Sequence, residues 1–154
     1  MLVTLRWATP WILVLATSVA MANESAPLKN DQIHFQGLSR EQARQVLVVV
    51  LKHEGYRLGK AGVFIDGDLA DEKGNPPHPG YFDFSLGYDN PRAGAIEYWG
   101  LFSVSTLTGD VWETNICKRF AFPALRRIQR LIMARTGKSM ADESQQLQGL
   151  GCPE

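Results

Sequence analysis

Apolar residues between positions 39 and 55 recur with the period of an α-helix. Ser39 and Gln42 have the spacing of a capping box, and Gly55 is placed to end the helix. One helical face collects Ala43, Val46, Leu47, Val50 and Leu51. The β-branched run 48–50 leaves a strand over 46–51 as the alternative, because such side chains favour extended backbone. We interpret the segment as a helix.

Apolar and polar residues alternate further along the chain, as they do in half-buried strands. Between Tyr81 and Tyr88, the residues Phe82, Phe84 and Leu86 share one face. The run 96–106 places Tyr98, Phe102 and Val104 on one face, and Trp99, Leu101, Ser103 and Ser105 on the other. Gly100 leaves room for a bulge within this second run. Two strands are therefore predicted here.

A turn at 108–110 leads into the apolar run 111–113, so this run should pair with 96–106 as an antiparallel hairpin. Residues 63–65 can add a brief strand before a long loop over 66–80. A second helix is predicted from Pro123 to Gly137, with Ala124, Leu125, Ile128, Leu131 and Ile132 on its apolar face.

These elements predict an α+β fold. The expected arrangement is an antiparallel sheet of three to four strands packed by two helices, because each helix has an apolar face that a sheet can bury. We expect one domain over 38–154, preceded by an exposed, flexible leader over 23–37.

The first 22 residues have the pattern of a secretory signal peptide. Arg6 gives a basic start, residues 11–16 form a short apolar run, and Ala20 and Ala22 provide the small residues of a cleavage site. The run is much shorter than the roughly 20 residues that span a bilayer. We therefore predict cleavage after Ala22, a periplasmic or secreted protein, and no stable membrane anchor.

Cleavage would remove one basic residue and no acidic one, leaving 15 basic and 16 acidic side chains. This balance disfavours nucleic-acid binding, which depends on a surplus of Lys and Arg. The two cysteines, Cys117 and Cys152, form an even pair in an oxidising compartment. We predict that they form a C-terminal disulfide bond.

Few residues offer catalytic or metal-binding chemistry. Asp66, Asp68, Asp71 and Glu72 crowd one loop, but their spacing departs from that of an EF-hand. The histidines at 34, 53 and 78 lack zinc spacing, and no nucleophile elbow or phosphate-binding loop occurs. We predict no metal and no cofactor. An enzyme is disfavoured, although His53 with Glu54, or His78 with Asp83, can form an acid–base pair.

The second helix carries the strongest charge asymmetry. Seven basic residues and one acidic residue lie between 111 and 138, and Arg126, Arg127 and Arg130 project opposite the apolar face. One interpretation is a solvated face. The other is a docking surface for an acidic partner, with help from Trp99 and Tyr98, since arginine and aromatic side chains are common binding anchors.

The order of helix and hairpin, with the segments 39–43, 98–104 and 108–112, resembles PepSY-like domains over residues 39–112. The resemblance implies a non-catalytic exported domain that binds or restrains a protein such as a hydrolase. In size and compartment, the chain also resembles periplasmic immunity proteins that neutralise delivered toxins. We predict a binding module of inhibitor or immunity type, with a small periplasmic hydrolase as the alternative.

Overall fold

The computed structural model describes residues 33–67, 69–70, 73–142 and 147–152. The predicted signal peptide lies outside these residues. The described part contains a five-stranded antiparallel sheet whose strand order follows the sequence. The elements are α1 (Arg40–His53), β1 (Val63–Asp66), β2 (Tyr81–Asn90), β3 (Ala95–Ser105), β4 (Val111–Glu113), β5 (Lys118–Arg119) and α2 (Pro123–Thr136). The predicted α+β class is confirmed, and the strand count exceeds the prediction because the two-residue β5 is present.

Helix α1 forms as its sequence pattern predicts. The Ser39 hydroxyl accepts a hydrogen bond from the Gln42 amide at 3.2 Å, and the Gln42 side chain accepts from the Ser39 amide at 2.8 Å. The buried residues of the helix are the five predicted ones: Ala43, Val46, Leu47, Val50 and Leu51. They pack against β2 and β3, so burial of this face determines the conformation despite the β-branched run.

A bulge divides the long strand β3 and changes which of its side chains face the helices. Leu86 lies opposite Gly100 and Gly87 opposite Tyr98, which leaves Trp99 as the extra residue. The expectation that Tyr98 shares a face with Phe102 and Val104 is therefore wrong. Trp99 packs on the main core, whereas Tyr98 lies on the opposite face.

Helix α2 buries a narrower stripe than its apolar residues predict. Leu125, Gln129 and Ile132 are buried, while Leu131 is 37% exposed and Ala124 is also exposed. Gln129 belongs to the buried stripe because its amide donates to the Gly109 carbonyl and to Asp110, as described below. A hydrogen-bonded glutamine thus occupies a buried position of α2 where an aliphatic residue would be expected.

The sheet face opposite the helices is partly covered by the C-terminal tail. Tyr81 and Trp112 form a small cluster with Leu150, and Cys152 packs beside them. The predicted disulfide is present between Cys117 and Cys152, whose Cα atoms are 5.4 Å apart. This bond joins the tail to the loop between β4 and β5.

The end of the predicted leader is packed. Ile33 is only 5% exposed and belongs to the main core, and His34 and Gly37 form a β-bridge. Ordered packing therefore already includes Ile33, rather than starting near Leu38 as the polar sequence indicates. The residues on either side of Ile33 are polar, so the sequence pattern does not reveal that Ile33 is buried.

Replacing Gly37 by Ala should destabilise the fold by about 2 to 4 kcal/mol, because Gly37 combines a positive φ with a close backbone contact. Its φ is +115°, and an added Cβ would lie 2.6 Å from the Thr106 carbonyl oxygen. Gly55→Ala is the matched control, since Gly55 has φ +87° but no atom within 4 Å of a Cβ. We expect about 1 to 2 kcal/mol for the control. Equal losses in denaturant unfolding would contradict this account.

Candidate partner-binding site

Two of the three predicted arginines line one cleft. Arg126 and Arg130 are four residues apart on the exposed side of α2, so their side chains lie on the same face. With Arg119 they border a cleft of about 400 Å³. Phe120, Met133 and Met140 provide apolar walls. Arg127 is exposed on the same helix but does not line this cleft.

The buried carboxylate of Asp110 lies in the wall of the cleft. Asp110 is 1% exposed, and Nε of Arg119 lies 2.9 and 3.1 Å from its two oxygens. The indole of Trp112 donates to Asp110 at 2.9 Å and the Gln129 amide at 3.3 Å. A buried carboxylate requires such partners, because removal from water disfavours its charge. Arg119 therefore neutralises Asp110.

The side chains of Arg126 and Arg130 make no hydrogen bond or ion pair with other residues in the described part of the chain. Because the charge of Asp110 is already balanced by Arg119, the cleft keeps an excess of positive charge. A planar guanidinium pairs well with carboxylates. The arrangement can accept an anionic side chain from outside.

The aromatic residues predicted to assist the arginines lie elsewhere. Trp99 is half-buried between Tyr56 and Tyr88, with ring centroids 6.3 and 5.6 Å away. It borders a second, open depression that Lys60 also lines. Tyr98 is 66% exposed and meets the edge of the Phe64 ring on the other face of the sheet. The structure thus brings neither aromatic residue into the arginine cleft.

The predicted acid–base pair of His78 and Asp83 is present, but its geometry differs from that of a hydrolase. Nδ1 of His78 lies 2.7 Å from an oxygen of Asp83 and 3.4 Å from the Ser103 hydroxyl. Ser103 itself donates to the same Asp83 oxygen. A nucleophilic serine needs the second histidine nitrogen as its base. These contacts instead join the loop before β2 to the sheet.

The other predicted pair forms part of a surface ion network. Glu54 contacts His53 at 3.3 Å and Lys118 Nζ at 2.6 Å. The hydrogen bond from Lys118 lowers the pKa of Glu54, and the same bond raises the pKa of Lys118. Burial raises the pKa of the nearby Glu113 carboxyl. Glu54 is therefore held as a carboxylate, which is unsuited to donating a proton.

The predicted acidic loop is only partly described, since Asp68, Asp71 and Glu72 lie outside the described residues. Within the described ranges, no group of three His, Cys, Asp or Glu side chains is arranged to hold a metal ion. In the same ranges, no helix has the length and apolar character needed to span a bilayer.

The fold and the cleft define a small disulfide-bonded α+β protein with an exposed cationic cleft. A family model described as "T6SS, Immunity protein Tgi2PP" matches residues 37–144. The chain therefore belongs to this family of type VI secretion system immunity proteins. The predicted immunity-type binding module is confirmed at this level.

A solved structure gives a second comparison. It is described as "Structure of a type VI secretion system effector-immunity complex from Pseudomonas protegens". One of its chains is 64% identical to this one, with a TM-score of 0.80. The match covers 82% of this chain and 99% of that chain. No match was found among the curated proteins.

The resemblance to PepSY-like domains is wrong, because the family model identifies the chain as an immunity protein. The three segments that carried the resemblance are local features that many folds share. They are the capping box of α1, the bulged strand β3 and the turn into β4. The family match also includes α2, which the resemblance left unexplained.

Replacing Arg119 by Met should destabilise the fold by about 1 to 3 kcal/mol, because the buried Asp110 would lose the guanidinium that neutralises it. The expected loss is below that of a fully buried pair, since the Arg119 side chain is 41% exposed. Arg126→Met is the control, removing an arginine from the same cleft without an Asp110 contact. Chemical denaturation followed by circular dichroism measures both. Equal losses would argue against this role of Arg119.

Proposed function

We propose that this chain is an exported immunity protein that binds a type VI secretion effector and blocks its action. The observation that carries the proposal is the 64% identity to a chain from an effector–immunity complex, over 99% of that chain. Membership of the immunity family supports the same function. Such a role requires a stable surface rather than a catalytic centre.

The site of action in this proposal is the periplasm. The N-terminal pattern of a basic residue, an apolar run and small residues supports export. The disulfide between Cys117 and Cys152 supports an oxidising compartment, since reducing compartments keep thiols free.

If the chain is exported, the mature protein should begin at Asn23 and carry no free thiol. Intact mass after expression with the native N-terminus, with alkylation before and after reduction, measures both properties. We expect loss of residues 1–22 and labelling of two cysteines after reduction only. An uncleaved chain in the cytoplasmic fraction would contradict export.

The arginine cleft is the proposed electrostatic contact with the effector. Arg126 and Arg130 lie in the cleft and Arg127 beside it, so an acidic segment of the effector can reach all three. Charge complementarity of this kind raises association rates and excludes wrong partners. Exposed Tyr98 can contribute a separate apolar contact, whereas half-buried Trp99 mainly supports the sheet.

The charge-reversed variant Arg126→Glu/Arg130→Glu should raise the Kd for the effector about tenfold or more, mainly by slowing association. The probe is the purified effector of the Pseudomonas protegens complex, and surface plasmon resonance at several salt concentrations measures the rates. The control is Lys52→Glu/Arg57→Glu, which makes the same charge change at exposed residues outside the cleft.

We expect the control to bind within a few-fold of the unmodified chain. The salt dependence of association should also become weaker in the cleft variant. Equal Kd values for the cleft variant and the control would contradict a role for the cleft. Failure of the unmodified chain to bind would contradict the proposed function itself.

A further inference from the structure

Strand β3 extends well beyond its neighbour β4. On β3, strand β4 pairs with Phe102–Val104 alone, and the turn after β4 binds the backbone of Leu101. There the Leu101 amide donates to the Asn115 side chain, and its carbonyl accepts from the Thr114 hydroxyl. Residues 95–100 have β2 on one side and, within the described ranges, no strand on the other. Part of β3 is therefore an open edge.

The register of the hairpin shows which backbone groups point to this edge. The Asp89 amide donates to Gly62, on the β1 side, and Asp89 lies opposite Ile96. Opposed residues in an antiparallel pair either bond to each other or both point away. The amide and carbonyl of Ile96 therefore point to the open edge. The backbone groups of successive residues in a strand point to alternate sides, so the amide and carbonyl of Tyr98 also point to the open edge. No described group outside β2 bonds them.

The side chains along this edge are apolar and exposed. Ile96 is 54% exposed, Tyr98 66%, Leu101 43% and the neighbouring Ile116 59%. Natural edge strands are usually protected by lysine, proline or short length. Residues 95–100 contain neither lysine nor proline, and their one charge, Glu97, is hydrogen-bonded to Asn90 at 2.8 Å. The bulge at Trp99 confines the available edge to a short stretch.

We propose that the effector docks by adding an extended segment to β3 at Ile96 and Tyr98. Outward backbone groups require a partner with its own backbone donors and acceptors, and the exposed side chains require apolar residues at alternate positions. The occupant is thus a short extended segment of the effector. This inference rests on the proposed immunity function and specifies how the two proteins meet.

A second copy of the chain suits this edge less well. A symmetric antiparallel pair can use the outward groups of both Ile96 and Tyr98 of each copy only in the register that places Glu97 of one copy directly opposite Glu97 of the other. Like charges in directly opposed positions destabilise a sheet. An effector segment has no such restriction.

Hydrogen exchange of the mature chain, alone and with the purified effector of the Pseudomonas protegens complex, tests the proposal without a substitution. The amides of Ile96 and Tyr98 should exchange rapidly in the free chain and at least about tenfold more slowly in the complex. Glu41, an exposed residue at the start of α1 near the other end of β3, serves as the internal control and should change little.

The variant Ile96→Pro removes the outward amide, and its ring obstructs an added strand, while no bond within the sheet is lost. Ile96→Thr is the matched control, because it keeps the amide and a β-branched side chain. We expect the proline variant to weaken effector binding about tenfold or more and the threonine variant about threefold or less. Circular dichroism of each variant tests whether it folds. If the proline variant does not fold, the hydrogen-exchange experiment on the unmodified chain tests the proposal.

Three outcomes would overturn the proposal. Effector binding without protection of Ile96 and Tyr98 would exclude edge docking while leaving the immunity function intact. Protection that rises with chain concentration in the absence of effector would assign the edge to a second copy. Absence of binding by the unmodified chain would contradict the proposed function and this inference with it.

Discussion

The buried carboxylate of Asp110 is the constraint on which one corner of the fold depends. An ionised group at 1% exposure is tolerated only with charged and hydrogen-bonding partners. Those partners come from three elements: Trp112 of β4, Arg119 of β5 and Gln129 of α2. The short strands β4 and β5 and the helix must therefore meet at the turn that precedes β4. Gly109 permits the meeting, because its φ is +69° and a Cβ there would lie 2.4 Å from Ile132.

The same interaction positions the cationic cleft. Gln129 reaches Asp110 only when its side of α2 faces the turn, and Arg126 and Arg130 then lie at the margins of the buried stripe. Arg119 joins them because its guanidinium is held by Asp110. A structural ion pair thus orients side chains that are free to bind elsewhere. The residues that stabilise this corner thus lie beside those of the proposed effector contact, and Arg119 belongs to both groups.

Local signals predicted most of the fold, and non-local contacts account for the differences. The capping box and apolar stripe of α1 are features of consecutive residues, so the sequence was sufficient. The bulge at Trp99 shifts the period of β3 by one residue, and only pairing with β2 shows where the shift occurs. The sequence pattern of α2 does not predict that Gln129 is buried, because its burial depends on a hydrogen bond to Asp110, 19 residues away. The open edge was likewise invisible, because it depends on where β4 stops.

The two proposed contact sites, the arginine cleft and the open edge of β3, would bind a partner by different physical interactions. Attraction by exposed charges acts over roughly 10 Å and weakens with salt, so it mainly affects the rate of encounter. Backbone pairing at an edge acts only at contact and requires a particular register, so it mainly affects dissociation and specificity. The cleft lies beside α2, whereas the edge lies beyond the end of β4. An effector that uses both must therefore present an acidic surface and an extended apolar segment at separate positions, a requirement that few unrelated proteins meet.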